Sequence, residues 1–277
     1  MLTRSIGLMG AAALLCGLAA PAHAHDTWMT AKQTRVEAQR AVQLDLTTGN
    51  RYPVGEDGSK PDRISRAACL QGMRNLELLP VARGSNATRL VVLPPAASAL
   101  TCVIELKPLT VELPEAVVAI YLDEIRAPAS IRQAWAAMPS TAAAPRRWVE
   151  SYTKHAKVML AAGPDAAPPA GGFAPAAAGL ALELVPEADL SQGKLSAGQL
   201  PLRLLQGGQP LAGQAVELIN SADGKGTWQT TDAQGRAVFP APGAGRYLLR
   251  TTVLQPPQAP GAPWTSRFTT LAFDLLP

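Results

Sequence analysis

The hydrophobic pattern of this chain is one of short runs. In its C-terminal third, segments rich in Val, Leu, Thr and aromatic residues recur at 180–185, 200–205, 215–219, 227–231, 236–239, 247–253 and 268–275. Turn residues separate them, with Gly207, Gly208, Gly224, Gly226, Gly235, Gly243 and Gly245 available for the positive-φ positions of tight turns. Seven short strands at this spacing predict a β-sandwich. Upstream, the runs at 36–46, 76–79, 88–93 and 102–106 predict strands, and 50–62 a polar loop. Between 116 and 137 the spacing changes. Val117, Ile120, Tyr121, Ile125, Ile131 and Trp135 approximate one helical face, and Pro128 must start, kink or end a helix there. A strand is expected at 152–160, placing Tyr152, Lys154, Ala156 and Val158 on one face and His155 on the other. A helix through that segment is the alternative.

The tract that follows is rich in Pro, Ala and Gly and lacks the spaced bulky side chains that bury a strand or helix face. The expected organisation is therefore mainly β, with two β-sandwich domains of Ig-like or prealbumin-like type. The first spans 25–160 and carries a short helical insertion, a linker or loop covers 161–178, and the second domain spans 179–277.

Residues 1–24 read as a signal peptide. Arg4 supplies a positive charge, an apolar run follows, and Ala22-His23-Ala24 offers the small residues that signal peptidase recognises, so cleavage is expected before His25. Leu15, ahead of Cys16, is too large for lipid-modifying processing. No later stretch is long and apolar enough to span a bilayer, so the mature chain is expected to be periplasmic and not membrane-spanning. Cleavage leaves Cys69 and Cys102 as the only cysteines, in an oxidising compartment. A disulfide between them would close a loop of about 34 residues and contribute about 3–4 kcal/mol. The formal net charge of +4 is spread over small, scattered basic pairs, which argues against a nucleic-acid surface.

Candidate chemistry is scarce, and that narrows the choice. His25 and His155 are the only histidines after cleavage. Maturation at His25 places an imidazole and a free α-amine on one residue, a bidentate nitrogen chelate suited to Ni(II), Co(II) or Cu(II). Asp26 adds a carboxylate as a third ligand or an outer-shell acceptor, and His155 is the remaining imidazole. A terminal His that frays in solvent and a His155 that packs are the structural alternatives. Trp28 and Met29 read more simply as strand residues packed on the first domain than as a lid or thioether ligand. A copper brace of the kind found in oxidative polysaccharide-cleaving enzymes would need a second imidazole and usually exposed aromatics, whereas aromatics make up 5% of this sequence. No G-x-S-x-G, phosphate loop or mature C-x-x-C is present.

Two resemblances sharpen these expectations. Thr230-Thr-Asp-Ala-Gln-Gly235, with Phe239 and Gly245-Arg-Tyr247 after it, resembles prealbumin-like and carboxypeptidase-regulatory-like sandwiches. His25-Asp26-Thr27-Trp28, the segment from Glu150 to Leu160, and Thr269-Thr-Leu-Ala-Phe273 resemble a periplasmic family carrying domain of unknown function 4198. That family includes the soluble component of some nickel/cobalt uptake systems. The resemblance implies a non-enzymatic, exported nickel- or cobalt-handling protein, with copper an alternative, working beside an inner-membrane transporter or outer-membrane receptor. At the position of His155 relatives commonly carry an aromatic residue, and the segment from Arg250 to Pro257 here contains no His. The competing reading is a metal-free structural or partner-binding protein.

Overall fold

The computed structural model describes residues 25–277 apart from 142, 144, 165, 167–176 and 196–197. The expected signal peptide and most of the expected linker lie outside the described residues. The first region contains β1 (Asp26–Ala31), β2 (Arg35–Val36), β3 (Val42–Gly49), β4 (Ile64–Gln71), β5 (Arg74–Glu77), β6 (Leu79–Arg83), β7 (Thr88–Val92), β8 (Leu100–Leu106) and β9 (Leu109–Leu113). Two helices, α1 (Glu115–Glu124) and α2 (Ala129–Ala136), precede the long β10 (Trp148–Ala162). The second region contains β11 (Leu182–Pro186), β12 (Gln199–Gln206), β13 (Gln209–Pro210), β14 (Ala215–Asn220), β15 (Gly226–Thr230), β16 (Arg236–Pro240), β17 (Gly245–Gln255) and β18 (Trp264–Leu275).

The fold is mainly β and sandwich-like, as the strand pattern predicts. A wide sheet runs β15-β14-β17-β18-β10-β8-β4-β5, with β2 and β9 also paired to β10. At its middle, β10 and β18 pair in parallel, in register from Glu150 with Trp264 to Met159 with Phe273. One face is covered by the sheet β1-β3-β7-β6, the other by β11-β12-β13 with β16 paired to β12. Side-chain parity divides the cores. Ala156, Val158, Leu160, Leu248 and Ala272 pack under the β1 sheet, whereas Met159, Leu249, Leu271 and Phe273 pack under the β11–β12 sheet. The two sandwich cores thus share one central layer, and its middle strands are buried on both faces from Lys154 onward.

The helical insertion covers the start of β10 on the β1 side. Its two helices break around Pro128, which precedes α2, and Arg126 ends the first with a φ of +48°. Val118, Tyr121, Leu122, Ile131 and Trp135 pack on Trp148 and Trp264, whose rings stack at 4.2 Å. Among the described residues no helix is long and apolar enough to cross a membrane.

Some boundaries differ from the expectation. The run at 36–46 divides, because Glu37, Gln39 and Arg40 form a polar reversal with Gln39 at φ +57° between β2 and β3. Strand β4 carries few bulky apolar residues, and every residue of β6 is exposed. Backbone pairing with β8 and β7, rather than an apolar run, defines them. Ala161 and Ala162, expected at the start of the linker, extend β10 instead and pair with β2. Cys69 and Cys102 stand directly opposite on β4 and β8 and form the expected disulfide.

A buried ion pair joins β10 to β11. Lys157 Nζ lies 2.6 Å from Glu183 Oε1, with both side chains almost wholly excluded from solvent. Glu183 also accepts the backbone N–H groups of Ala178, Gly179 and Leu180. Burial pulls the Lys157 pKa down, and the Glu183 carboxylate opposes that shift. Glu183→Ala strands a buried ammonium and three N–H groups, so a loss of about 3–5 kcal/mol is expected in urea unfolding. Lys157→Met leaves those three N–H bonds in place and should cost less.

Candidate metal centre

The expected ligands lie on or beside the central sheet, but they do not converge. His25 precedes β1 with its side chain half exposed, and Nε2 lies 3.5 Å from Glu56 Oε2. Asp26 is buried and ion-paired to Nη1 of Arg250, a β17 residue. His155 is also buried, but it faces the β11–β12 side of β10. Its Nδ1 lies 2.9 Å from the Phe268 carbonyl oxygen, which can only accept, so Nδ1 carries the proton. Burial lowers the His155 pKa, against the opposing effect of that carbonyl. Lys154, one residue earlier, projects to the β1 face and donates to the His25 carbonyl at 2.5 Å. His25 and His155 therefore sit on opposite sides of the sheet. Among the described residues, no three His, Cys, Asp or Glu side chains gather in a group fit to hold a metal ion.

What the structure does assemble is a grip on the first residues of β1. Lys154 on β10 holds the carbonyl of His25, Arg250 on β17 holds the carboxylate of Asp26, and Thr270 on β18 donates to the Thr27 carbonyl at 2.7 Å. Three consecutive residues are thus held by three strands of the central sheet, in addition to the ladder between β1 and β3. Arg250 also reaches Glu217 on β14 at 2.6 Å. Burial works against the Arg250 charge, but the two carboxylates outweigh it and hold its pKa above the usual value. Burial pushes the Lys154 ammonium down to about 8, with Asp26 opposing the shift. Tyr152 and Phe268 present their rings to the same ammonium.

These groups belong to a polar seam between the β1 sheet and the helices. At its closed end Glu150 is buried and accepts from Tyr121 at 3.0 Å, from Trp148 Nε1 at 2.6 Å and from Ser266. At its open end lies a cavity of about 370 Å³. Asp26, Asn50, Glu217, Arg250 and Thr252 line it, together with residues 123–126 at the C-terminal end of α1. Arg126 stacks over the Trp228 ring at 4.5 Å, and both residues line the cavity. His25 stands beside this opening, because Asp26 lines it and Asn50, also a lining residue, bonds the Glu56 carboxylate that His25 faces.

The family model described as Domain of unknown function (DUF4198) matches residues 22–255. The chain belongs to the DUF4198 family. No curated protein matches this DUF4198 chain. Among solved structures, the Bacillus anthracis TIE protein aligns with 91% of this chain and 56% of its own, at 10% identity and a TM-score of 0.17. This chain thus spans little more than half the length of that protein, and the likeness is too slight to inform fold or function.

Within this DUF4198 protein, sequence reasoning missed Glu56, Lys154 and Arg250 as neighbours of the N-terminal segment. Their separations from it, up to 224 residues for Arg250 with Asp26, leave no local signal. Glu150 offers a test of the seam. Burial raises its pKa above the ordinary 4.5, outweighing the hydrogen bonds from Ser266, Trp148 and Tyr121 and the nearby Lys154 charge. The folded state therefore holds this proton more tightly than the unfolded chain. The resulting stability is fully present at low pH and is lost as pH rises from about 4.5 through the raised value. Glu150→Gln, which is uncharged and keeps an acceptor, should melt at or above the parent temperature at pH 7. That difference should shrink as thermal scans are repeated toward pH 4.

Proposed function

We propose that this protein is an exported, periplasmic binding protein for a transition metal. The cargo is nickel or cobalt, with copper the alternative, and it is taken up at the mature N-terminus for delivery to an inner-membrane transporter or an outer-membrane receptor. The observation that carries this reading is the grip on residues 25–27. Chain termini ordinarily fray, yet here Lys154, Arg250 and Thr270 hold successive residues while the His25 imidazole is left half exposed beside a polar cavity.

Cleavage before His25 supplies the second donor. The α-amine and the imidazole of one residue then chelate a metal together, and such nitrogen pairs suit Ni(II), Co(II) and Cu(II). Asp26 is committed to Arg250 and serves this reading as the anchor of the strand. His155, turned to the other face, stays outside the ligand set. Two protein nitrogens leave coordination positions for water or for donors of the receiving partner, as suits a carrier that must release its cargo. The disulfide is compatible with export. The resemblance noted in the sequence points the same way. The metal-free reading draws on the ion pair of Asp26 and the packing of His155, which fill structural roles without a metal.

The test is calorimetric titration of Ni(II), Co(II) and Cu(II) into protein that begins at His25 with a free amine. One equivalent should bind. His25→Ala should weaken binding by at least about 100-fold, or about 2.7 kcal/mol. Leaving Ala24 in front, which turns the amine into an amide, should do the same. No binding of any of the three metals, or unchanged affinity in both variants, would favour the structural reading of His25 instead.

A further inference from the structure

The two nitrogens of the His25 imidazole are not equivalent for chelation. A ring through the α-amine nitrogen, Cα, Cβ, Cγ, Nδ1 and the metal has six members, whereas Nε2 lies on the far side of the imidazole and cannot close it. The chelate therefore needs Nδ1 bare and the ring proton on Nε2, and the group that bonds one nitrogen of a histidine sets what the other can do.

The structure places an acceptor on the Nε2 side. Glu56 Oε2 stands 3.5 Å from Nε2. Asn50 orients that carboxylate, with its backbone N–H 3.2 Å from Oε1 and its Nδ2 3.0 Å from Oε2. The segment that carries Glu56 is packed against the end of β3. Thr48 bonds Glu56 and Asp57 through backbone groups, and the Thr48 hydroxyl meets that of Thr27 on β1 at 2.8 Å. Tyr52 is buried with its ring edge-on to Trp28 at 5.6 Å.

Glycine at two positions makes this packing sterically feasible. A Cβ on Gly49 would lie 2.7 Å from the Val54 carbonyl oxygen. One on Gly55 would lie 2.2 Å from Thr47 Oγ1 and 2.7 Å from the Asn86 carbonyl oxygen. The approach of Glu56 to His25 is thus set by close backbone contacts on both sides of the loop.

We infer that Glu56 is a positioning residue for the N-terminal chelate. Its carboxylate accepts the Nε2 proton, fixes the ring orientation and leaves the Nδ1 lone pair to share the metal with the α-amine. The inference rests on the reading of His25 as the metal-binding residue. Carboxylates that orient a ligating imidazole in this way are typically worth about 10–100-fold in metal affinity.

The experiment uses the protein beginning at His25, with Ni(II) as the probe. Glu56→Ala should weaken Ni(II) binding by about 10–100-fold, and Glu56→Gln, which keeps an acceptor oxygen, should weaken it less. Long-range ¹H–¹⁵N spectra of the metal-free protein in mildly alkaline buffer should place the His25 proton on Nε2. In Glu56→Ala the two tautomers should become more evenly populated. Unaltered tautomer populations in Glu56→Ala, or undiminished Ni(II) affinity there while His25→Ala loses it, would overturn the role of Glu56. The spectra need no metal, so retained affinity in His25→Ala would count against the metal reading alone.

Discussion

The parallel pairing of β10 with β18 is the contact on which the architecture depends. It joins strands from either side of the Pro/Ala/Gly tract over ten residue pairs and so makes one sheet of two sequence regions. Parallel strands are stable where both faces are covered, and here the β1 sheet covers one face and the β11–β12 sheet the other. Strand parity then settles the chemistry. Residues such as Glu150, Lys154, Ser266 and Thr270 turn toward β1 and the helices, whereas His155 and Lys157 turn toward β11.

On the β1 face the result is a row of buried polar groups crossing four adjacent strands, between an apolar core under the β1 sheet and an aromatic core under the helices. Such groups are costly to desolvate, and buried ion pairs are weak contributors to stability compared with well-packed apolar side chains. Their effect here is geometric. Arg250 binds two carboxylates from different strands, Lys154 caps a carbonyl, and together with Thr270 they hold residues 25–27 in place. The His25 imidazole is left half exposed beside this frame.

Much of this was legible in the sequence where the signal is local. The second-region strands follow from apolar runs between glycines, Pro128 marks the helix break, and the parity of 152–160 correctly separates Lys154 from His155. The pairing of Cys69 with Cys102 follows from their being the two cysteines left after the expected cleavage. What was not legible depends on distant contacts. Asp26 looks like a ligand beside His25 until β17 brings Arg250 to it. Glu56 looks like one acid in a polar loop until Gly49 and Gly55 allow that loop to close on β3. Strands β4 and β6 escaped because backbone ladders, rather than apolar side chains, define them.

In the proposed function, export creates a chelating nitrogen at the head of β1. Intact-mass measurement of the protein purified from the periplasm, with sequencing of its first peptide, reads that cleavage site. The expected polypeptide begins at His25 and bears an unmodified amine. A mature chain that starts elsewhere, or whose terminal amine is acylated, would rule out the chelate.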